Sequence, residues 1–316
     1  MHEYDCFNEE VLCALAGITG EDDVLMVEPM SAHTTFKIGG PADILIRPRT
    51  DTDAVKVLNT LAIAELPVTV VGNGSDLLVS DRGIRGAVVL LRENFAQVEV
   101  DAAHTRVTAQ AGALLRDVAL AAAEAGLSGM EALWGIPATV GGACFMNAGA
   151  YDSQTSDVLE SVTVYVPGPT GEKGRVRELP VGELAMGYRK SRIAEEGLVV
   201  LSATFKLVPD SPDAIRSLMD RYQAQREKKQ PLDMPSAGST FKRPEGHFAG
   251  KLIMDAGLRG ASVGGAQVSE KHCGFVVNTG GATAADVCAL IEHVQDEVRR
   301  QFGVALEPEV RRVGEF

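Results

Sequence analysis

The sequence predicts a mixed α/β protein made of more than one subdomain, and three observations lead to that prediction. The chain has 316 residues, which exceeds the size at which a single hydrophobic core usually stops growing. Hydrophobic residues make up 45% of it, enough to bury a sizeable core. Strand-like and helix-like patterns alternate between residues 43 and 125, as they do in α/β units.

Two α/β units are predicted in the first half of the chain, and further strands follow them. Short runs rich in β-branched residues indicate strands, whereas longer stretches with apolar residues three and four apart indicate helices. We predict strands at 43–47, 68–71, 86–91, 98–100, 106–109, 159–166 and 198–207, and helices at 51–65 and 113–125.

Two further helices are predicted in the C-terminal part from their capping residues. Ser211 is a natural N-cap for a helix that starts at Pro212 and runs to about residue 228, because proline fits the first helical position. A second helix is predicted at 283–302, where Thr283 and Asp286 resemble a capping box and Gly303 fits a C-cap. The first of these helices marks a domain boundary.

Composition and charge argue against several classes of function. A formal net charge of −13 opposes general attraction to nucleic acids or anionic membranes, and no apolar run approaches the ~20 residues of a membrane helix. The N-terminus lacks a signal-peptide pattern, and the five cysteines show neither a disulfide framework nor metal-ligand spacing. We therefore expect a soluble, cytoplasmic protein with reduced, mostly buried thiols that binds no metal, nucleic acid or membrane.

Two glycine-rich segments could bring backbone close to a ligand. Gly72 and Gly74 follow a β-rich run, and amide groups at such a turn can form an anion-binding nest, although a plain hairpin turn fits equally well. Residues 135–151 are too glycine-rich for a packed helix and too apolar for a solvent-exposed loop. They would suit backbone wrapped around a flat cofactor, with a buried crossover as the alternative.

A third segment, residues 235–244, places Ser239 at a glycine-permitted turn beside Lys242 and Arg243. The hydroxyl could donate a proton next to a bound anion. The alternative is an ordinary turn in which the hydroxyl bonds to nearby backbone.

Taken in order, these segments resemble the UDP-N-acetylenolpyruvoylglucosamine reductase family, flavoenzymes of bacterial cell-wall synthesis. The resemblance covers about residues 31–314 and includes further motif matches at 33–43, 187–191, 264–272 and 309–311. The short spacing between Lys229 and Ser239 is similar to that of the shorter, type II-like subtype.

The resemblance implies an α+β fold class, the vanillyl-alcohol-oxidase/PCMH-type FAD-binding fold of two α/β subdomains with a C-terminal α/β substrate domain. The implied boundaries are an N-terminal segment at 1–30, FAD-binding subdomains at 31–95 and 96–210, and a substrate-binding domain at 211–316. FAD would be bound non-covalently by Gly72, Asn73, Gly74, Ser75, Leu77, Gly135, Ile136, Pro137, Thr139, Gly141, Gly142, Asn147, Ala148 and Gly149.

In this family NADPH reduces FAD, and the enolpyruvyl ether of UDP-N-acetylglucosamine then takes the hydride at its terminal alkene carbon, giving UDP-N-acetylmuramate for peptidoglycan. Negative charge that develops on the neighbouring carbon and its carboxylate requires a cation, hydrogen bonds and an acid. The resemblance implies that Ser239 protonates the carbon while Arg189 and Glu309 stabilise the enolate-like intermediate. From the residues alone, Arg189 could be a surface ion pair and Glu309 a solvated terminal carboxylate.

Substrate contacts implied by the resemblance are Tyr188, Lys229, Arg243 and His272, with Lys229 at the diphosphate. The alternative for Lys229 is a solvated face, which is the usual role of a charge run after a helix.

Two positions depart from the family pattern. Asp76 stands where the phosphate loop of the family usually has asparagine, which puts a negative charge near the expected pyrophosphate, so we expect no direct contact there. Ala138 replaces a family glycine, which suggests that no positive φ is needed at this position or that the loop is slightly reshaped.

Two other functions stay open. The chain could be another FAD oxidoreductase of the same fold, such as a hydroxy-acid or alcohol oxidase, that shares only the flavin-binding half. It could also be a non-catalytic regulator that binds flavin or a UDP-sugar. The presence of Ser239, Arg189 and Glu309 argues against both.

Overall fold

The computed structural model describes residues 8–316, and the chain forms two compact units. The first unit consists of the residues up to Met26, Ile44–Asn73 and Gly86–Ala224, and the second of Val27–Asp43, Gly74–Arg85 and Gln225–Phe316. The boundaries predicted after residues 30, 95 and 210 separate regions by the ligand that each is expected to bind. The two units are defined by compactness instead, so these boundaries stay a prediction.

The predicted helices are confirmed to within two residues at each end. They correspond to α2, α3, α6 and α8 in the following order: α1 Glu9–Thr19, α2 Asp51–Ile63, α3 Leu115–Glu124, α4 Val140–Met146, α5 Arg192–Glu195, α6 Pro212–Lys229, α7 Ala249–Asp255 and α8 Ala284–Phe302. Helices α1, α4, α5 and α7 were not predicted.

All the predicted strands are present, together with shorter ones. The strands are β1 Val24–Pro29, β2 Pro41–Ile46, β3 Val68–Val71, β4 Leu77–Val79, β5 Ile84–Leu90, β6 Val98–Asp101, β7 Arg106–Gln110, β8 Leu127–Ser128, β9 Gly149–Ala150, β10 Ser153–Gln154, β11 Leu159–Val166, β12 Arg175–Pro180, β13 Val199–Lys206, β14 Val208–Pro209, β15 Ser236–Ser239, β16 Ser262–Val263, β17 Ala266–Val268, β18 Phe275–Asn278 and β19 Arg311–Val313.

The strands build three main sheets. One has the order β1-β2-β5-β3, with β3 and β5 parallel. A five-stranded sheet in the first unit has the order β12-β11-β13-β7-β6 and is antiparallel throughout. In the second unit the antiparallel order is β15-β18-β17-β16, and β4 pairs in parallel with β19.

Each unit has its own hydrophobic core. In the first, the buried apolar residues of α2 and α3, including Leu61 and Val118, belong to the same core cluster as Phe205 of β13. In the second, α8 packs its apolar face, including Val287 and Leu290, into the core. In both cores the apolar residues of these helices recur at intervals of three to four positions, which places them on one buried face.

The capping box predicted for α8 is confirmed. The Oγ1 of Thr283 accepts a hydrogen bond from the Asp286 amide, and Oδ2 of Asp286 accepts one from the Thr283 amide, both at 3.0 Å. Gly303 ends the helix at φ 69°, the left-handed conformation that glycine adopts without steric cost.

The interpretation of residues 135–151 as too glycine-rich for a helix is wrong, because they contain α4. Val140, Ala143 and Cys144 are buried on one side of this helix. A Cβ at Gly141 would stand 3.0 Å from Cβ of Ala111. The glycine therefore serves close packing, which offsets its low helix propensity.

The interpretation of Ser239 as a turn residue is also wrong, because Ser239 ends strand β15. Ser236 and Ser239 pair with Val277 and Phe275 of β18, with an irregularity between them. Gly238 takes φ 76°, so the glycine permits a bulge within a strand rather than a reverse turn.

The four cysteines in the described range carry free thiols. Cys144 and Cys273 are buried and Cys288 is partly buried, whereas Cys13 is exposed, and Cys6 lies outside the described residues. Burial raises the pKa of Cys144 to about 12. Within residues 8–316, no helix combines the length and apolar character needed to cross a membrane.

Replacement of Asp81 by alanine is expected to destabilise the second unit. The two carboxylate oxygens of Asp81 accept hydrogen bonds from the Ala284 and Ala285 amides at 2.7 and 3.0 Å, at the start of α8. Loss of this external cap should lower the free energy of unfolding by about 1–2 kcal/mol, measured by urea denaturation. Asp296→Ala, at an exposed position on the same helix, is the control, and an equal loss in both variants would contradict the capping role.

Candidate active site

The loop after β3 lies against the segment that leads into α4 in the first unit. Nδ2 of Asn73 donates a hydrogen bond to the Pro137 carbonyl at 2.7 Å. A Cβ at Gly72 would stand 2.2 Å from Oγ1 of Thr139, which is closer than any real contact. Glycine is thus required for the two predicted cofactor segments to approach each other this closely.

The first amide groups of α4 are already bonded within the fold. Val140 and Gly141 donate to the carbonyls of Ala113 and Ala111, both at 2.8 Å, and Thr139 provides the N-cap. These bonds hold the helix on the strand end before α3, and they leave these amides unavailable to a ligand. Ala138 replaces a glycine of the family and does not have a positive φ. This agrees with the prediction that no positive φ is needed at this position.

The other residues predicted to bind a cofactor lie on both sides of α4. Gly135 and Ile136 form turns before it, where the Ile136 amide donates to the Leu133 carbonyl at 3.0 Å. After it, the Ala148 amide donates to the Ala143 carbonyl at 2.9 Å. Gly142 lies within the helix, and Gly149 pairs with Gln154 in the β9–β10 hairpin.

Tyr188 and Arg189 form the tip of a tight turn in the first unit. The turn is closed by reciprocal backbone hydrogen bonds between Gly187 and Lys190, at 2.9 and 3.2 Å. Arg189 adopts φ 54°, which is uncommon for a residue with a side chain. Its guanidinium carbon lies 4.8 Å from the centroid of the Tyr188 ring, a cation–π contact. Tyr188 is exposed, so the ring is accessible to a ligand.

The C-terminal end of α4 is bonded to this turn. Nδ2 of Asn147 donates to the Gly187 carbonyl at 3.1 Å, and the Ser191 hydroxyl donates to the Phe145 carbonyl at 2.6 Å. Asn147 and Ser191 are both fully buried. The predicted cofactor segment and the Arg189 turn therefore form one hydrogen-bonded network.

In the second unit, Gly74 and Ser75 offer amide groups to a ligand. Gly74 adopts φ 59°, and a Cβ there would stand 2.3 Å from the carbonyl oxygen of His33. Neither of these two amides donates a hydrogen bond to any residue in the described range 8–316. Successive free amides next to a left-handed glycine suit an anion. Leu77 follows as the first residue of β4.

Ser239 and Glu309 are brought together on adjacent backbone segments of the second unit. The Glu309 amide donates to the Thr240 carbonyl at 2.8 Å, and Phe241 and Pro308 form an antiparallel bridge. Ser239 is exposed and Glu309 is partly buried. One short ladder thus holds both predicted catalytic residues of this unit.

His272 is half-buried beside β18, and its environment keeps the ring uncharged at neutral pH. Nδ1 accepts a hydrogen bond from the Gly274 amide at 3.1 Å, which leaves the ring proton on Nε2. Burial lowers the pKa of His272 below 6.5, and the charge of Lys229 lowers it further. His272 can therefore act as a hydrogen-bond donor through Nε2 rather than as a cation.

The other two predicted substrate contacts of the second unit are exposed cations. Lys229 is the last residue of α6, and the Arg243 guanidinium carbon lies 4.2 Å from the centroid of the Phe248 ring. An open cavity of about 470 Å³ in the same unit is lined by sequence neighbours of Lys229 and His272, namely Glu227, Pro231, Leu232, Asp233, Met234, Gln267, Ser269, Glu270 and Lys271.

Sequence reasoning missed Ser191 and Gln154, which form hydrogen bonds with residues of the predicted site segments. Ser191 caps α5 through its Ala194 bond at 3.2 Å and also bonds to α4, whereas Oε1 of Gln154 accepts from Asn147 at 3.1 Å. Ser191 stood inside the matched motif at 187–191, so a signal was present. Nothing in the sequence pointed to Gln154, because its role depends on a contact formed only in the fold.

Comparison with known proteins gives consistent matches over both units. Residues 42–175 match the FAD binding domain family, and residues 230–313 match the C-terminal domain of UDP-N-acetylenolpyruvoylglucosamine reductase. The UDP-N-acetylenolpyruvoylglucosamine reductase of Agathobacter rectalis is 53% identical over 304 residues, covering 93% of this chain and 95% of the relative. That of Clostridioides difficile is 46% identical over 308 residues, covering 98% and 99%.

A solved structure agrees with these matches. The crystal structure of UDP-N-acetylenolpyruvylglucosamine reductase from Thermus caldophilus superposes with a TM-score of 0.76 at 35% identity, covering 92% of this chain and 98% of that one.

His272 is expected to make stability depend on pH as the pH falls through the unfolded-state pKa of 6.5. Because its pKa is lowered in the folded protein, the unfolded chain binds more protons in this range, and stability falls as the pH falls through 6.5 and rises with increasing pH. In His272→Asn this pH dependence should weaken, as measured by urea unfolding at about pH 7.5 and about pH 5.5. His293→Asn, at an exposed position of α8, is the control, and an unchanged pH dependence in His272→Asn would contradict the assignment.

Proposed function

The chain belongs to the UDP-N-acetylenolpyruvoylglucosamine reductase family, and from this premise we propose that Ser239, Arg189 and Glu309 are its catalytic residues. The protein is an FAD-dependent oxidoreductase that uses NADPH and acts in peptidoglycan precursor synthesis. Its α+β fold is the FAD-binding fold with an added C-terminal domain that the resemblance implied.

The described residues fit FAD on two observations. The glycine-dependent contact of Gly72 with Thr139 brings the phosphate loop and the segment before α4 together, and the unbonded amides of Gly74 and Ser75 suit pyrophosphate oxygens. These residues would hold FAD by backbone donors, which an acidic chain can provide without positive side chains. When bound, FAD supplies the redox chemistry by accepting a hydride from NADPH and delivering it to the terminal alkene carbon of the substrate.

We propose UDP-N-acetylglucosamine enolpyruvate as the substrate. Arg189 binds its carboxylate, since a guanidinium offers two parallel donors that match a carboxylate, and the cation–π contact with Tyr188 pre-organises the side chain. Lys229 and Arg243 contact the diphosphate as exposed cations. His272 contributes a neutral Nε2–H donor, in keeping with its lowered pKa.

Ser239 gives its hydroxyl proton to the substrate carbon next to the carboxylate, and Glu309 acts with Arg189 on the enolate-like intermediate. One backbone contact carries this assignment. The carbonyl of Thr240, the residue after Ser239, accepts a hydrogen bond from the Glu309 amide at 2.8 Å. A backbone ladder fixes two side chains more rigidly than a flexible loop does, and such rigidity favours proton transfer at a defined atom.

We further propose that the protein works in the cytoplasm. Cys13, Cys144, Cys273 and Cys288 are free thiols, as expected in a reducing compartment.

Anaerobic spectroscopy tests the proposed function. Addition of NADPH should bleach the flavin, and addition of UDP-N-acetylglucosamine enolpyruvate should then restore its colour. Bleaching that only oxygen reverses would indicate another FAD oxidoreductase, and a protein that takes up no FAD would remove the basis of the proposal.

Gly72→Ala is expected to lower FAD content. The added Cβ would overlap Oγ1 of Thr139 at 2.2 Å, so the loop must move away from the segment before α4. We expect ~10-fold weaker FAD binding, the equivalent of about 1.4 kcal/mol, measured by fluorescence titration of the apoprotein. Gly182→Ala is the control, because a Cβ at Gly182 meets nothing within 4 Å. Unchanged FAD affinity in Gly72→Ala would show that this approach does not serve the cofactor.

Ser239→Ala is expected to separate the two half-reactions. Bleaching by NADPH should keep its rate, whereas reoxidation by the enolpyruvyl substrate should slow by ~10²–10⁴-fold, the usual effect of losing a general acid. Stopped-flow absorbance measures both rates, with Ser262→Ala, an exposed serine of the same unit, as the control. If both half-reactions of Ser239→Ala slow equally, Ser239 is not the proton donor.

A further inference from the structure

We propose that Asn147 is a positioning residue that holds the Tyr188–Arg189 turn in place, rather than a residue whose side chain contacts the cofactor. This inference rests on the proposed function, because it assigns Asn147 the task of placing the Arg189 guanidinium for the substrate carboxylate.

The polar atoms of the Asn147 side chain are already engaged by the protein. Its Nδ2 donates to the Gly187 carbonyl and to Oε1 of Gln154, both at 3.1 Å, and its Oδ1 accepts from the Ser156 amide at 3.0 Å. Both hydrogens of the amide are therefore used. The side chain therefore has no donor left for a bound flavin, and it is also fully buried.

The bond to Gly187 lies at the base of the catalytic turn. The Gly187 carbonyl also accepts the Lys190 amide at 3.2 Å, so Asn147 occupies the second acceptor position of the oxygen that closes the turn. The left-handed φ of Arg189 is a conformation that a side chain adopts only when its surroundings enforce it. Asn147 and the reciprocal Gly187–Lys190 bonds supply that enforcement.

A second contact joins the same two segments on the other side of the turn. The Ser191 hydroxyl donates to the Phe145 carbonyl at 2.6 Å, so residues 145 and 147 are bonded to residues 191 and 187. The tip that carries Arg189 lies between these two attachments. Its position is thus set by the end of α4, which belongs to the segment proposed to bind FAD.

Asparagine suits this position for two separate reasons. Asn147 caps α4 with φ 44°, in the left-handed region where asparagine is tolerated better than most residues. It also supplies the two donors that the Gly187 and Gln154 oxygens require. Aspartate at this position would keep the shape of the side chain, the tolerance of this φ and the acceptor for the Ser156 amide. It would replace Nδ2 by an oxygen, which cannot donate to the Gly187 carbonyl.

Asn147→Asp in the FAD-loaded protein tests the proposal. We expect FAD content and bleaching by NADPH to stay within ~2-fold, whereas reoxidation by UDP-N-acetylglucosamine enolpyruvate slows by ~10²-fold, since a misplaced catalytic group costs about that much. Asn147→Gly is the second variant, because it permits the same φ without burying a charge. Gln154→Ala is the matched control, since it removes one acceptor of Asn147 but leaves the bond to Gly187.

Trypsin cleavage after Arg189 and Lys190 gives a readout that does not depend on the reaction. Loss of the bond to Gly187 should open the turn more often and raise the cleavage rate by ~10-fold, in both Asn147 variants but not in Gln154→Ala. Equal loss of both half-reactions, or loss of FAD with unchanged cleavage, would overturn the positioning role. If the wild-type protein is bleached by NADPH but not recoloured by the substrate, the proposed function fails, and the cleavage rates still decide the role of Asn147.

Discussion

The close approach of backbone segments around α4 is the constraint on which the first unit depends. Gly72 has no room for a Cβ against Thr139, and Gly141 packs on Ala111 at a distance that leaves little tolerance. These contacts set where α4 begins. Since an α-helix is a rigid element with a fixed rise per residue, the position of its start also sets where Phe145 and Asn147 present their hydrogen bonds at its other end. Gly72, which contacts the residue before α4, thereby affects the placement of the Arg189 turn, which is bonded to the other end of the helix.

Thr240 has the corresponding role in the second unit. Its amide donates to the Gly274 carbonyl at 2.8 Å, its hydroxyl oxygen accepts from the Val276 amide at 2.9 Å, and its carbonyl accepts from Glu309 at 2.8 Å. One buried residue therefore joins the strand that ends in Ser239, the segment after His272 and the segment that carries Glu309. The proton transfer proposed for Ser239 would require this kind of fixed geometry, since a displacement of about 1 Å can cost two orders of magnitude in rate.

An acidic protein that handles anionic ligands must provide its attraction locally. With a net charge of −13, the chain cannot rely on a long-range positive field. The proposed site would do so in two ways, with the free amides of Gly74 and Ser75 and with the cations Arg189 and Arg243, which contact aromatic rings. A neutral His272 adds a donor without adding charge. Such short-range donors act only on a ligand that already fits the site, which favours specificity over general binding of anions.

The sequence by itself determined the long elements, the family and the identity of the candidate residues, because these depend on local period, caps and ordered motifs. The capping box and Gly303 of α8 are examples, since both the signal and the structure lie within a few residues. It did not determine that residues 140–146 are helical or that Ser239 ends a strand. Those outcomes depend on Ala111, Phe275 and other distant partners, whose packing outweighed the local preference of glycine. The attachment of the Arg189 turn to Asn147 through the Gly187 carbonyl was likewise decided only by the tertiary structure, because a hydrogen bond between residues 40 positions apart in the chain leaves no periodic or local signal in the sequence.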